Sequence, residues 1–401
     1  MNILFLTIVK IDSVSERGIY TDLLRKFRDE GHNVFVVSPT ERRYKKQTSL
    51  TDDEGIKRLS VKTLNLQKTN LIEKGIGTVL IEHQFKRAVK KYFHDIKFDL
   101  ILYSTPPITF ASIVKFIKKR DRAKSYLLLK DIFPQNAVDL GMIKPKSLLH
   151  LFFKKKEKEI YAASDYIGCM SPANKAYLEK ENPEIDPKKI EICPNSIELT
   201  KENPNKKNAS LWEKLGIPLD DEKTIFIYGG NLGKPQGLDF LIEILKSNNH
   251  KSDRFFVISG SGTEYVKIKD ALETNQISNA ILMQNLPKKE YDQLVQTCDV
   301  GLIFLDPRFT IPNYPSRLLS YLEHKMPIVA ATDLVSDIGL IAEENNYGFF
   351  ARNGDLQQFN QQIEKFISDK TLISTMGENG YRFLKENYTV DTSYNIIMKK
   401  H

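Results

Sequence analysis

Residues 225–239 read IFIYGGNLGKPQGLD: an apolar run ends in two glycines, further glycines follow at 233 and 237, and helix-like sequence comes next. Glycine lets the backbone come close to a ligand, and free N–H groups at a helix start favour an anion. The loop is therefore a candidate phosphate cradle, with Gly230 and Asn231 at the turn and Lys234 adding a positive charge. A tight β–α turn that holds nothing is the plainer alternative. The spacing is not Gly-x-Gly-x-x-Gly and no acidic residue ends the next strand, which disfavours a nicotinamide dinucleotide. A second segment, FLDPRFTIPNYPSRLLSYLEHKMPIVAATD (304–333), reads as strand, loop and helix. Ser316, with Pro315 before it, is positioned to cap that helix. Arg317 falls in the first turn, where a cation is unfavourable to the helix dipole unless an anion lies beside it. Two acids are candidates for chemistry in a cleft: Asp131, at the end of a strand in KDIFP, and Glu16, after the first strand. A turn or cap role for Asp131 and a solvated loop for Glu16 are the alternatives. His32 reads as part of a structural turn, and the other histidines form no constellation.

The elements that must position these residues follow from the pattern of apolar runs. Strand-like runs occur at 3–9, 33–39, 99–104, 125–131 and 165–171, and again at 224–230, 254–260, 280–286, 299–305 and 326–332. Helical stretches of roughly 10–15 residues separate them, which implies right-handed βαβ units and parallel sheets. A chain of 401 residues is too long for one ordinary core. The expected fold class is therefore α/β, with two doubly wound domains facing across a cleft: residues 1–195, and residues 196–383 after a Pro-, Asn- and Lys-rich link. A C-terminal helix over about 384–401 is expected to return to the first domain. In such sheets ligands bind beyond the carboxyl ends of the strands.

Three scattered cysteines, Cys169, Cys193 and Cys298, argue against a disulfide scaffold or a zinc site and suit a reducing cytosol. The N-terminal MNILFLTIVK lacks the basic flank and cleavage site of a signal peptide, and the longest uncharged stretch is too short to span a bilayer. Residues 1–196 carry 36 Lys+Arg against 24 Asp+Glu, a net +12, whereas the remainder carries a net −4. A basic half suggests a polyanionic partner. Nucleic acid is disfavoured because no recognition motif is visible. SLLHLFFKKKEKEIY (147–161) sets apolar side chains beside lysines and suits an anionic membrane surface; an ordinary half-buried helix is the alternative.

The ordered set EGHNVFVVSP (30–39), KDIFPQ (130–135), CPNSIE (193–198), GGNLGKPQGLD (229–239), SGSG (259–262), NLPKKEY (285–291) and PSRLLSYLEHKMPIVA (315–330) resembles retaining glycosyltransferases of the two-Rossmann-domain GT-B type, family 4. Within that family it is most similar to WbuB-like fucosamine transferases of bacterial surface polysaccharide assembly. The resemblance implies a UDP-sugar donor in the C-terminal domain and a prenyl-diphosphate-linked amino-sugar acceptor at the N-terminal one. Gly230, Asn231, Lys234 and Gly260 would then lie by the diphosphate, Leu286 and Pro287 by the base, and Ser316 and Arg317 on the phosphates. Gly18 would approach the donor from the first domain. Attack on the face of departure would leave no obvious general base, with Asp131, Glu16 and Arg317 as the catalytic candidates. The resemblance also implies a cytoplasmic protein peripheral at the inner face of the membrane, with other polysaccharide-assembly enzymes as further partners.

Two departures matter. The glutamates that most family members carry eight residues apart fall here at Pro312 and Ser320, and Glu323, one turn along, is the expected substitute at the ribose, or else a solvated surface residue. The usual basic residue after the early glycines is Asn231, so Lys234 is expected to supply that charge. No Asp-x-Asp occurs, so no metal cofactor is expected at the diphosphate. The missing glutamates keep two other readings open: a degenerate, non-catalytic scaffold of the assembly complex, or a transferase for another UDP-sugar.

Overall fold

The computed structural model describes residues 1–66, 71–200, 209–218 and 222–400, with backbone alone at 71, 72, 74–76 and 209. The chain divides into two compact units, residues 1–198 with 389–401, and residues 199–388.

Unit 1 is built on eight strands: β1 (Asn2–Leu6), β2 (Asn33–Glu41), β3 (Ser49–Asp53), β4 (Ile56–Thr63), β5 (Leu100–Ser104), β6 (Lys124–Leu129), β7 (Tyr166–Cys169) and β8 (Ile190–Ile192). Their order is β3-β4-β2-β1-β5-β6-β7-β8, parallel except for the β3–β4 pair. Central parallel strands are covered on both faces and so read as continuous apolar runs. Ile3, Leu4, Phe5 and Leu6 of β1 are accordingly all buried. Asp53 pairs with Ile56 across Glu54-Gly55, both at positive φ, which is the two-residue turn that matches strand twist.

Unit 2 contains β9 (Thr224–Asn231), β10 (Arg254–Ser261), β11 (Ala280–Met283), β12 (Val300–Phe304), β13 (Ile328–Thr332) and β14 (Gly348–Arg352), all parallel, in the order β11-β10-β9-β12-β13-β14. Its core joins Phe226, Tyr228, Phe256, Ile258 and Phe304 of the sheet to Leu241, Ile244, Phe359 and Ile363 of the helices.

All ten expected strands are present; β3, β4, β8 and β14 were not anticipated. Residues 384–401 differ from the expected single helix. The helix Thr371–Asn387 ends, Tyr388 and Thr389 intervene, and a second helix, Val390–Met398, follows with Thr389 as its cap. Val390 donates its N–H to the Ile197 carbonyl at 3.1 Å and Ile397 is buried, which fastens this last helix into unit 1.

Candidate functional site

In unit 2 the first crossover point of the sheet lies between β9 and β12, the place where loops diverge to either side and leave a crevice. The glycine loop starts at the end of β9. Gly230 has φ +119°, a conformation that side chains rarely adopt, and a Cβ there would stand 3.6 Å from Nη2 of Arg317. At the next strand end, a Cβ on Gly260 would come within 1.9 Å of the Gly230 carbonyl oxygen, so only glycine permits this register. Gln236 closes the loop: its Oε1 accepts from the Gly233 N–H at 3.2 Å and from Asn231 Nδ2 at 3.0 Å. Asn231 is therefore committed within the loop. Lys234 is exposed at the start of the short 3-10 turn Lys234–Gln236.

Arg317 begins the helix Arg317–Glu323 and is half-buried. Its guanidinium lies over the Tyr228 ring, 4.3 Å from the centroid, and its Nη1 is shut off from solvent with no hydrogen-bond partner among the described residues. A buried donor on a cation without an acceptor is costly, and an anion at that position would remove the cost. Tyr228 is itself fixed, its hydroxyl donating to the Asn231 carbonyl at 2.8 Å. Tyr321, on the same helix, accepts from the Gly229 N–H at 3.2 Å. Tyr291 covers Gly229 so closely that a Cβ there would meet its hydroxyl at 1.9 Å, and burial pushes its phenol up to about 12. Tyr291 belongs to the helix Lys288–Thr297, whose N-terminal flank is Leu286-Pro287. Three tyrosines thus fasten the glycine loop, the Arg317 helix and the Leu286-Pro287 corner to one another. Sequence reasoning missed them; the one available signal was Tyr321 standing a helical turn after Arg317.

The cap expected at Ser316 and the solvated alternative for Glu323 are corrected. Ser316 occupies the cap position, but its backbone is already helical and its side chain makes no capping bond. Glu323 is buried, not solvated, and its Oε1 accepts from the Thr200 N–H at 3.0 Å and the Thr200 hydroxyl at 3.2 Å. That carboxylate oxygen serves the chain segment entering unit 2. Ser320 is half-buried on the same helix.

In unit 1 the Gly18 N–H is already donated to Asp22 Oδ1 at 2.9 Å, which removes it as a free donor. Glu16 is exposed, and among the described residues its carbonyl alone is engaged, by the Thr21 hydroxyl at 2.6 Å and by Arg25. Asp131 follows β6. Its carboxylate accepts from Asn136 Nδ2 at 2.7 Å, and burial outweighs that bond and raises the group to about 6. Burial lowers the adjacent Lys130 to about 8. His32 is structural, with Nε2 3.0 Å from the Tyr394 hydroxyl.

Two α/β units, with a glycine loop and an arginine whose Nη1 has no partner among the described residues at the crossover of the second, have the architecture of a GT-B glycosyltransferase. Residues 19–201 match the family model described as Glycosyltransferase Family 4 and residues 213–383 the one described as Glycosyl transferases group 1, and the chain belongs to this group 1/family 4 class of glycosyltransferases. It is 24% identical to a probable glycosyltransferase, WbjE, of Pseudomonas aeruginosa over 324 residues, 80% of this chain and 78% of that one. Among solved structures it is similar to the sucrose-phosphate synthase of Thermosynechococcus elongatus (TM-score 0.77, 14% identity, covering 99% of this chain and 97% of that one). It is also similar to Anabaena HepE in complex with UDP and glucose (TM-score 0.71, 15% identity, covering 100% and 99%).

Proposed function

We propose that this chain is a retaining transferase that moves N-acetyl-L-fucosamine from its UDP form to a prenyl-diphosphate-linked amino sugar in bacterial surface polysaccharide assembly. The observation that carries the donor half is Arg317, a cation whose Nη1 is buried without an acceptor beside the backbone of Gly230. Departure of the nucleotide builds negative charge on the β-phosphate, and a guanidinium held by ring stacking stabilises that charge without having to reorganise. Helix and loop N–H groups with Lys234 and Arg317 do this work, and no metal is assigned. That Anabaena HepE is described with UDP and with UDP-glucose supports a uridine donor here. Asp131, with a carboxyl that titrates near neutrality, is the group of unit 1 suited to handle the acceptor hydroxyl proton. The sugar and the lipid-linked acceptor rest on the resemblance to the WbuB-like transferases, and the basic charge of residues 1–196 supports an acceptor presented at an anionic membrane. Among the described residues no helix is long and apolar enough to cross one.

Calorimetric titration with UDP, ADP and GDP tests the donor assignment. Selective UDP binding, with Arg317→Ala lowering turnover roughly tenfold to a hundredfold for a charge-assisted bond of ~1.5–3 kcal/mol, is the expected result. No binding to any of the three would favour the scaffold reading.

A further inference from the structure

The helix Leu148–Ala163 of unit 1 buries one face and leaves the other without a partner. Phe153, Glu157, Ile160 and Tyr161 point into the unit, the i, i+4, i+7, i+8 spacing of a packed stripe. The opposite face carries Leu148, Leu151, Phe152 and Lys155, with Leu149 alongside. Leu148 is 88% exposed, Leu149 52%, Leu151 55% and Phe152 38%, and Met142, just before the helix, is 60% exposed. Scattered apolar surface residues are ordinary, whereas five within eleven consecutive positions form a patch that calls for a partner.

The charge around the patch identifies that partner. From Leu140 to Lys156 there is no acidic residue and there are five lysines. Lys154 is paired with Glu157 and Lys156 with Glu159, both on the helix itself. Lys144, Lys146 and Lys155 are exposed and form no ion pair among the described residues. Large exposed apolar side chains interspersed in the chain with unpaired cations suit the boundary between acyl chains and anionic headgroups. On its inner side the helix sets Phe153 edge-on to Phe133 at 4.8 Å between ring centroids, two residues after Asp131. Phe152 of the patch packs edge-on to Phe153 at 5.3 Å, so two ring contacts lead from the patch to the segment that carries Asp131.

We propose that unit 1 docks on an anionic lipid bilayer through Met142, Leu148, Leu149, Leu151 and Phe152, with Lys144, Lys146 and Lys155 on the headgroups. Docking there would bring a lipid-linked acceptor toward Asp131, and it rests on the proposed acceptor only for that purpose. The test needs neither nucleotide nor sugar, so docking and the transferase reading can fail independently.

The full-length protein is sedimented with vesicles of phosphatidylcholine alone and of phosphatidylcholine containing phosphatidylglycerol. Wild type is expected to co-sediment with the anionic vesicles and to remain in solution with the neutral ones. Leu148→Ser with Leu151→Ser should abolish that binding. Lys144→Glu, Lys146→Glu and Lys155→Glu together should weaken it by on the order of 100-fold, at ~1 kcal/mol per lysine. Lys45→Glu with Lys46→Glu, at another basic stretch of the same unit, should leave it unchanged. All of these positions are exposed, and unchanged melting temperatures confirm the fold. The proposal is overturned if wild type ignores anionic vesicles, as it would if the patch served a protein partner. It is equally overturned if the serine variant binds like wild type, or if the Lys45/Lys46 variant loses binding as completely as the triple one.

Discussion

The two units run their central strands in the same order yet place opposite chemistry at the crossover. Around β9 and β12 the second unit offers glycine backbone and a stacked guanidinium. Around β1 and β5 the first unit offers a loop closed on itself by Asp22, and after the next strand, β6, the half-buried carboxyl of Asp131. The sheet only supplies a crevice; its charge is written in the few residues that follow each strand. A leaving diphosphate needs fixed positive charge, whereas an incoming hydroxyl needs a proton acceptor, and under the proposed function the two sets of loops would divide these needs between them.

The sharpest way to break this contrast is to damage the backbone on which the cationic site stands. Gly260→Ala sets a Cβ against the Gly230 carbonyl, and the two strand ends must part. A loss of about 2–3 kcal/mol is expected, read as a lower denaturant midpoint together with weakened UDP binding. A variant as stable and as tight as wild type would show that the glycine loop tolerates displacement.

The carboxyl side is sharpened by pH. Asp131 titrates near 6 in the folded protein and near the usual ~3.9 when unfolded. Between these values the folded state holds more protons, so stability falls as pH rises through that window and stays lower above it. An asparagine side chain at this position cannot ionise, and its carbonyl oxygen can still accept from Asn136. Asp131→Asn should therefore be more stable than wild type by about 1–2 kcal/mol at pH 8, a figure reduced for partial solvent access, and equal to it near pH 4. Thermal melts at both pH values read the difference, and an equal shift at both would point to packing instead.

The smallest effect is expected at Tyr228→Phe. The ring under Arg317 remains, while the hydroxyl's 2.8 Å bond to the Asn231 carbonyl and its polar contact with Arg317 are lost. Stability should drop by ~1 kcal/mol and UDP affinity by less than about fivefold. A far larger loss of affinity would mean that the hydroxyl, not the ring, is what holds the site.

Legibility in the sequence followed the same division. The central strands β1, β9 and β12 were readable because burial on both faces makes them unbroken apolar runs. β3 was not, since SLTDD is a solvated edge, nor was β8, which has three residues. Gly230 and Arg317 stand out by type and spacing, but the ring that holds Arg317 comes from a distant strand and no local pattern announces it. Glu323 was legible by position alone. It lies one turn past the family position, yet the helix turns it toward Thr200. Asp131 was legible as a strand-end acid; its raised titration came from burial by tertiary neighbours and could not be seen beforehand.

The central claim is that Arg317 serves the phosphates of a nucleotide. Its most direct test is to measure the affinities of wild type and Arg317→Ala for UDP and for uridine side by side. The predicted result is a roughly tenfold to hundredfold loss for UDP and no change for uridine, which carries no phosphate. Equal losses for both ligands, or no loss for UDP, would contradict it.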